Sequence, residues 1–176
     1  MDAAHFVHQA YLGMIWAPER IFIPSPSGRN RYNVLGALDA LTKDIVTVNN
    51  DKYINGESVC ALLAKLASRK RDDVLITVAL DNAKYQRCAE VEKCAKKLGI
   101  ELLFLPSYSP NLNLIERLWR FVKKICLYSK YYESFTEFKH AIRECLENQT
   151  EEIRQKLETL LKCKFQSFKN INISTV

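Results

Sequence analysis

The stretch VLITVALDNAKYQ, residues 74–86, decides how the rest of the chain is read. Residues 74–80 are apolar without the alternation of a half-exposed strand, the pattern of a strand covered on both faces. Asp81 closes that run at its carboxyl end, where open α/β sheets collect their ligands. Downstream, Val91, Cys94, Ala95 and Leu98 recur at helical spacing, and Gly99 stops them. IELLFL at 100–105 reads as a second strand, ended by Pro106. Strand, helix and strand in that order predict a right-handed crossover between parallel strands.

Working outward, MDAAHFVHQ (1–9) reads as the end of a strand running into a less regular stretch. YNVLGALD (32–39) and IVTVN (45–49) flank a polar turn at 42–44 and predict a hairpin. Val59, Leu62, Leu63 and Leu66 mark an amphipathic helix that Asn55 can cap. After the turn-rich PSYSPNLN (106–113), a long helix runs from about 114 to 127. Ser134 and Glu137 form a capping-box pattern for a helix with Phe135, Phe138, Ala141, Ile142 and Cys145 on one face. Ile153, Leu157, Leu160 and Leu161 place a last helix near 151–162. The expected class is α/β: a mixed sheet flanked by helices over residues 1–128, with residues 129–176 a helical extension of the same domain.

A chain of 176 residues suits one domain with a real core. With 48% hydrophobic and 26% charged residues, it has the composition of a globular protein rather than a disordered one. No apolar run approaches a membrane span and no signal peptide opens the chain, so no membrane partner is expected. The six cysteines form no CxxC pair, which argues against zinc and a disulfide framework and for a reducing cytoplasm. The net charge of +6 favours a polyanionic partner, because Lys and Arg displace counterions from phosphates.

Three acidic residues are distinguished by position: Asp81 after the strand at 74–80, Glu116 in the first turn of the helix from 114, and Asp2 on the first strand. Carboxylates gathered at a sheet edge repel one another, and hard cations offset that repulsion at neutral pH. Two magnesium ions, with manganese as a substitute, can activate a water or a 3′-hydroxyl at a phosphodiester and stabilise the leaving oxygen. Asp2, Asp81 and Glu116 are therefore the candidate catalytic and metal-ligating set. For Glu116 a second reading stands beside this one: with Asn113 as N-cap, it falls at the third position of a capping box. A cap accounts for one Glu but leaves Pro106, Pro110, Trp119 and Asp81 unexplained.

The segments around these acids carry a resemblance. DAAHF (2–6), LDNAKYQ (80–86) and LPSYSPNLNLIERLW (105–119), with 34 residues (82–115) between Asp81 and Glu116, resemble the DDE transposases of the mariner superfamily, specifically their bacterial insertion-sequence branch. IWAPE (15–19) and RYNVLGALDA (31–40) are similar to the segment that follows the first Asp in that family, and KFQSF (164–168) is a less specific match. The resemblance implies a ribonuclease-H-like fold, which sets the strand of Asp2 beside that of Asp81. It also implies cleavage at transposon ends in double-stranded DNA, joining of 3′-hydroxyls to target DNA at TA dinucleotides, and action as a homodimer. TA steps unstack and kink readily, which lowers the cost of presenting the scissile phosphate. Such a protein would work in the cytoplasm at the nucleoid. Full transposases of this type carry an N-terminal helix-turn-helix region. Only Met1 precedes Asp2, so a truncated first strand and a separate DNA-recognition portion are expected. Two alternatives share the fold: an inactive or domesticated remnant that binds DNA without cutting, and a structure-selective nuclease.

Other residues are assigned with their competing roles. On the long helix, Leu114, Leu118, Phe121, Val122 and Ile125 form the expected core face. Arg117, Arg120, Lys123 and Lys124 lie with Glu116 on the other, as a ridge for DNA phosphates or as a solvated face with ion pairing between Glu116 and Arg120. Lys84 and Asn82 orient a phosphate or water, or Asn82 only shapes the turn after Asp81. Asn113 supports Glu116 as its helix cap. Arg29 and Arg31 are phosphate contacts or simply exposed. His5 and His8 are read as structural, and Trp16 as packed rather than stacked on a base.

Overall fold

The computed structural model describes residues 1–9, 16–24, 30–70, 74–106, 112–148 and 150–162. β1 (Asp2–Val7), β2 (Arg31–Leu38) and β3 (Ile45–Asn50) form an antiparallel meander with β2 in the middle, Asp2 opposite Gly36 and Leu38 opposite Ile45. β4 (Ile76–Leu80) and β5 (Ile100–Phe104) pair in parallel, Ile76 opposite Ile100, and α2 (Ala89–Leu98) makes the crossover between them. Gly99 ends α2 at φ 64°, a left-handed conformation that disfavours any residue with a Cβ. The strands thus form two sheets, β1-β2-β3 and β4-β5, and the Met1 nitrogen, donating to Ala79 O at 2.7 Å, brings the start of β1 to β4.

Helices cover the two faces and make two apolar clusters. On one side α3 (Ile115–Cys126), α4 (Phe135–Glu147) and α5 (Glu151–Leu160) enclose Phe6, Tyr32 and Val34. On the other, α1 (Gly56–Ala67) and α2 pack on Leu35, Ala37, Val78, Leu80 and Ile100. The strand covered on both faces is therefore β2, buried at every residue from Tyr32 to Ala37. The expectation that 74–80 would be that strand is corrected. Val74 and Leu75 precede the ladder and are exposed, and Thr77 is exposed with its hydroxyl on Glu101 at 2.7 Å. Only Val78 and Leu80 of β4 reach full burial, because α1 and α2 cover one face of the β4–β5 pair.

Local chemistry sets most helix starts. Asn55 accepts from the Ser58 backbone at 3.0 Å and Ser134 from Glu137 at 3.1 Å, each within a full capping box. α3 differs from the expectation: Leu114 is its N-cap, with φ −59° and no side-chain bond, so Asn113 does not cap it. Its core face is also rotated, to Ile115, Leu118, Trp119, Val122 and Cys126, while Leu114, Phe121 and Ile125 flank it half-buried. Gly36 is the cause. A Cβ there would stand 2.7 Å from the Trp119 ring and 3.2 Å from the Ile115 methyl, so the absent side chain lets α3 lie directly on β2. In α5 the burial falls on Leu157 and, just past its end, Leu161, while Leu160 is exposed. The five described cysteines are free thiols. Among the described residues, no helix is long and apolar enough to cross a membrane.

Candidate active site

The ends of three elements carry carboxylates near enough to feel one another's charge. Asp2 opens β1, Asp81 follows β4 directly, and Glu116 is the second residue of α3. Asp2 Oδ1 accepts from the Ala3 backbone at 2.7 Å, and its Oδ2 from Trp119 Nε1 at 3.1 Å. Asp81 Oδ1 is buried and accepts no hydrogen bond. Asn82 Nδ2 donates to Leu105 O at 2.6 Å, and Leu105 N to Leu80 O at 2.8 Å, so the ends of β4 and β5 are stitched together below Asp81.

The three carboxylates feel one another's charge. Burial, then the backbone bond from Ala3 in opposition, then the charge of Asp81 set the Asp2 carboxyl, with a net rise above its ordinary value. Burial and the charge of Asp2 raise that of Glu116, with Arg120 pulling the other way and Asp81 adding to the rise. Because α3 has no capping box, Glu116 is not engaged at its own helix start, and the cap reading of this residue is set aside. Asn113 instead offers its carbonyl to Glu116 N at 3.2 Å, and its side-chain amide is buried with Nδ2 donating to nothing.

The donor set fits a hard divalent cation: three carboxylates, one with a buried oxygen that no protein donor occupies. The approach is incomplete, for among the described residues no three acidic, histidine or cysteine side chains stand close enough to hold one ion. Like carboxylate charges repel one another, and Asp2 is fixed in its orientation by its bonds to Ala3 and Trp119.

The cationic residues separate into groups. Lys84, in the turn after Asp81, is exposed, as are Arg120 and Lys124 on α3, and Lys123 is half-buried between them. Arg117 reaches from the same helix to the carbonyls of Leu160 and Lys162, at 3.5 and 2.8 Å, where it ties down the end of α5. Arg31 lies opposite Val7, at the far end of the β1–β2 ladder from Asp2. At roughly 3.4 Å per residue, that puts it on the order of 17 Å from the carboxylates along the strand. Arg29 lies outside the described residues, as do Pro110 and KFQSF. Trp16, expected to pack, is 102% exposed, because its stretch belongs to no element and to neither apolar cluster. The histidines are structural as expected: His5 Nδ1 donates to Asn33 Oδ1 at 2.6 Å, and His8 Nε2 to Tyr132 O at 3.0 Å.

Two residues here were not singled out by spacing. Tyr85, four positions after Asp81, has its phenol pushed up to about 12 by burial and by the charges of Asp81 and Asp2. Trp119 is 5% exposed and gives its N–H to Asp2. The signal for it was one turn of helix from Glu116, together with the need of any buried indole N–H for an acceptor.

Comparison with known proteins bears on the family and the fold. The profile of the DDE superfamily endonuclease family matches residues 1–139. A crystal structure of the Mos1 mariner paired-end complex with Mn is similar with a TM-score of 0.66 at 14% identity, over 91% of this chain and 51% of that one. The Mos1 transposase paired-end complex with the left transposon end gives 0.65 at 16% identity, over 92% and 52%. The isolated catalytic domain of Mos1 mariner transposase gives 0.53 at 18% identity, over 75% and 69%. This chain thus spans about half the length of the Mos1 chains in those complexes, and the shared fold is ribonuclease-H-like. No protein of curated function matches it.

Proposed function

This chain belongs to the DDE superfamily endonucleases, and from that premise we propose that it is the catalytic part of a DNA transposase of the insertion-sequence branch. Its reaction would be cleavage of phosphodiesters at transposon ends, followed by joining of the freed 3′-hydroxyls to a TA target. What supports the reading is that Asp2, Asp81 and Glu116, from three separate elements, feel one another's charge, with Asp81 Oδ1 buried and unbonded. These three would hold two divalent ions, magnesium or its substitute manganese, which when bound supply charge neutralisation and an activated oxygen nucleophile. Asn82 keeps Asp81 at the end of β4 through its bond to Leu105 O. Lys84, Arg120, Lys123 and Lys124 would seat DNA phosphates around the carboxylates, with Arg31 and Arg29 as more distant contacts. Arg117 was grouped with that ridge, but its bonds to Leu160 and Lys162 support a role in holding α5. Since two transposon ends must be held together, the working form would be a dimer, with a helix-turn-helix portion recognising the ends.

A second reading has one observation in its favour. The carboxylates do not close on a common ion position, as expected of a remnant that binds DNA without cutting it. Manganese titration of the protein, followed by electron paramagnetic resonance, separates the two. Saturable binding lost in both Asp81→Ala and Glu116→Ala supports the endonuclease. An absence of saturable binding in the presence of a transposon-end duplex leaves the remnant.

A further inference from the structure

We propose that Trp119 is a positioning residue for the site, its indole N–H holding Asp2 Oδ2 so that the carboxylate faces Asp81 and Glu116. The inference rests on the metal-dependent reading above. A buried indole N–H needs an acceptor, and a neutral acceptor such as a main-chain carbonyl would satisfy it at lower cost than a partly buried carboxylate. Trp119 uses Asp2, at 3.1 Å, across 117 positions of sequence.

The ring is fixed from three sides. Gly36 lies opposite Asp2 on β2, and the absence of a Cβ there makes room for the Trp119 ring, whose carbons would be 2.7 and 2.9 Å from one. Phe6 meets the indole edge-on, with centroids 6.3 Å apart and planes at 80°. Ile115, one turn earlier on α3, closes the same space over Gly36. Residues three apart on a helix share a side, so the helix that presents Glu116 also carries the group that orients Asp2. Asp2 is thereby held at both oxygens, by Ala3 N and by Trp119 Nε1, and each oxygen keeps a lone pair for a cation. Outer partners of this kind fix ligand orientation in metal sites, and their loss weakens metal affinity by about 10–100-fold.

The test begins with Trp119→Phe, which keeps an aromatic side chain but removes the donor and, with it, the part of the indole that lies over Gly36. Manganese affinity, read by electron paramagnetic resonance on the full chain, is expected to fall by about 10-fold or more. An unchanged affinity in Trp119→Phe, with the parent binding manganese, overturns the positioning role alone. A parent that binds no manganese even with a transposon-end duplex present overturns the metal reading and this role with it. Should Trp119→Phe fold poorly, the Trp16→Phe background supplies a second readout, because it leaves Trp119 as the one tryptophan of the chain. There, Asp2→Asn is expected to shift the Trp119 emission without any metal, and manganese to quench it saturably only when Asp2 is present. Emission indifferent to both Asp2→Asn and manganese overturns the proposal.

Discussion

Asp81 and Glu116 do different work within the same site, and substitution separates them. Asp81 has a buried oxygen that no protein donor engages, so an amide there breaks no hydrogen bond at that atom. Asp81→Asn should leave circular dichroism and DNA affinity unchanged while plasmid cleavage drops to background; a mutant that still cuts removes Asp81 from the site. Glu116 and Asp2 both have carboxyls raised by burial, with neighbouring charge adding to the rise. An acid raised by folding stabilises the fold below its unfolded value and loses that contribution as pH climbs through the folded one. With chelator present, Tm is therefore expected to fall between mildly acidic and neutral pH. Glu116→Gln should flatten that fall, slightly because solvent screens this half-exposed carboxyl, which differential scanning fluorimetry will read. A Tm that instead drops on making Glu116→Gln would show that the charge is favourable where it sits.

At the scale of the element, two asparagines at helix starts make a contrast. Asn55 caps α1 through the Ser58 backbone, and Asn55→Ala should cost about 1 kcal/mol in urea unfolding. Asn113 precedes α3 without capping it and leaves its amide Nδ2 buried without an acceptor, so Asn113→Ala should cost distinctly less. Equal losses would mean that α3 is capped in solution after all. Composition favours Asn at either start, and both were legible as caps. Only one is, because the chain enters α3 through an αR residue, Leu114. Gly36→Ala tests the seat of α3: the added Cβ would overlap the Trp119 ring, and overpacking of this sort costs about 1–3 kcal/mol. In a domain of this size, each kcal/mol lowers Tm by about 2–4 °C.

Across the whole molecule, the net charge of +6 becomes meaningful through its arrangement. If Lys123 and Lys124 each neutralise a DNA phosphate, changing both to Ala should reduce the slope of log affinity against log salt by about two. Arg117→Ala should leave that slope alone and lower stability instead, since its guanidinium holds the carbonyls at the end of α5. A salt slope that moves with Arg117 would return it to the DNA-facing set. The helices after residue 128 pack on the sheet, for Phe138, Ile142, Leu157 and Leu161 share one apolar cluster with Phe6, Tyr32 and Val34.

What the sequence determined by itself is local or periodic. The parallel crossover from β4 to β5 follows from an apolar run, a helical repeat and Gly99. Asp81 at a strand end and Glu116 in a first helical turn follow from the same spacing, since both depend on near neighbours along the chain. Which surface each element buries was left to the tertiary structure, because burial depends on what arrives from elsewhere. β2 rather than β4 is enclosed on both faces, since helices reach both sides only at the middle of the meander. The face of α3 is set by the space over Gly36, and the partner of Asp2 by an indole that needed an acceptor once water was excluded.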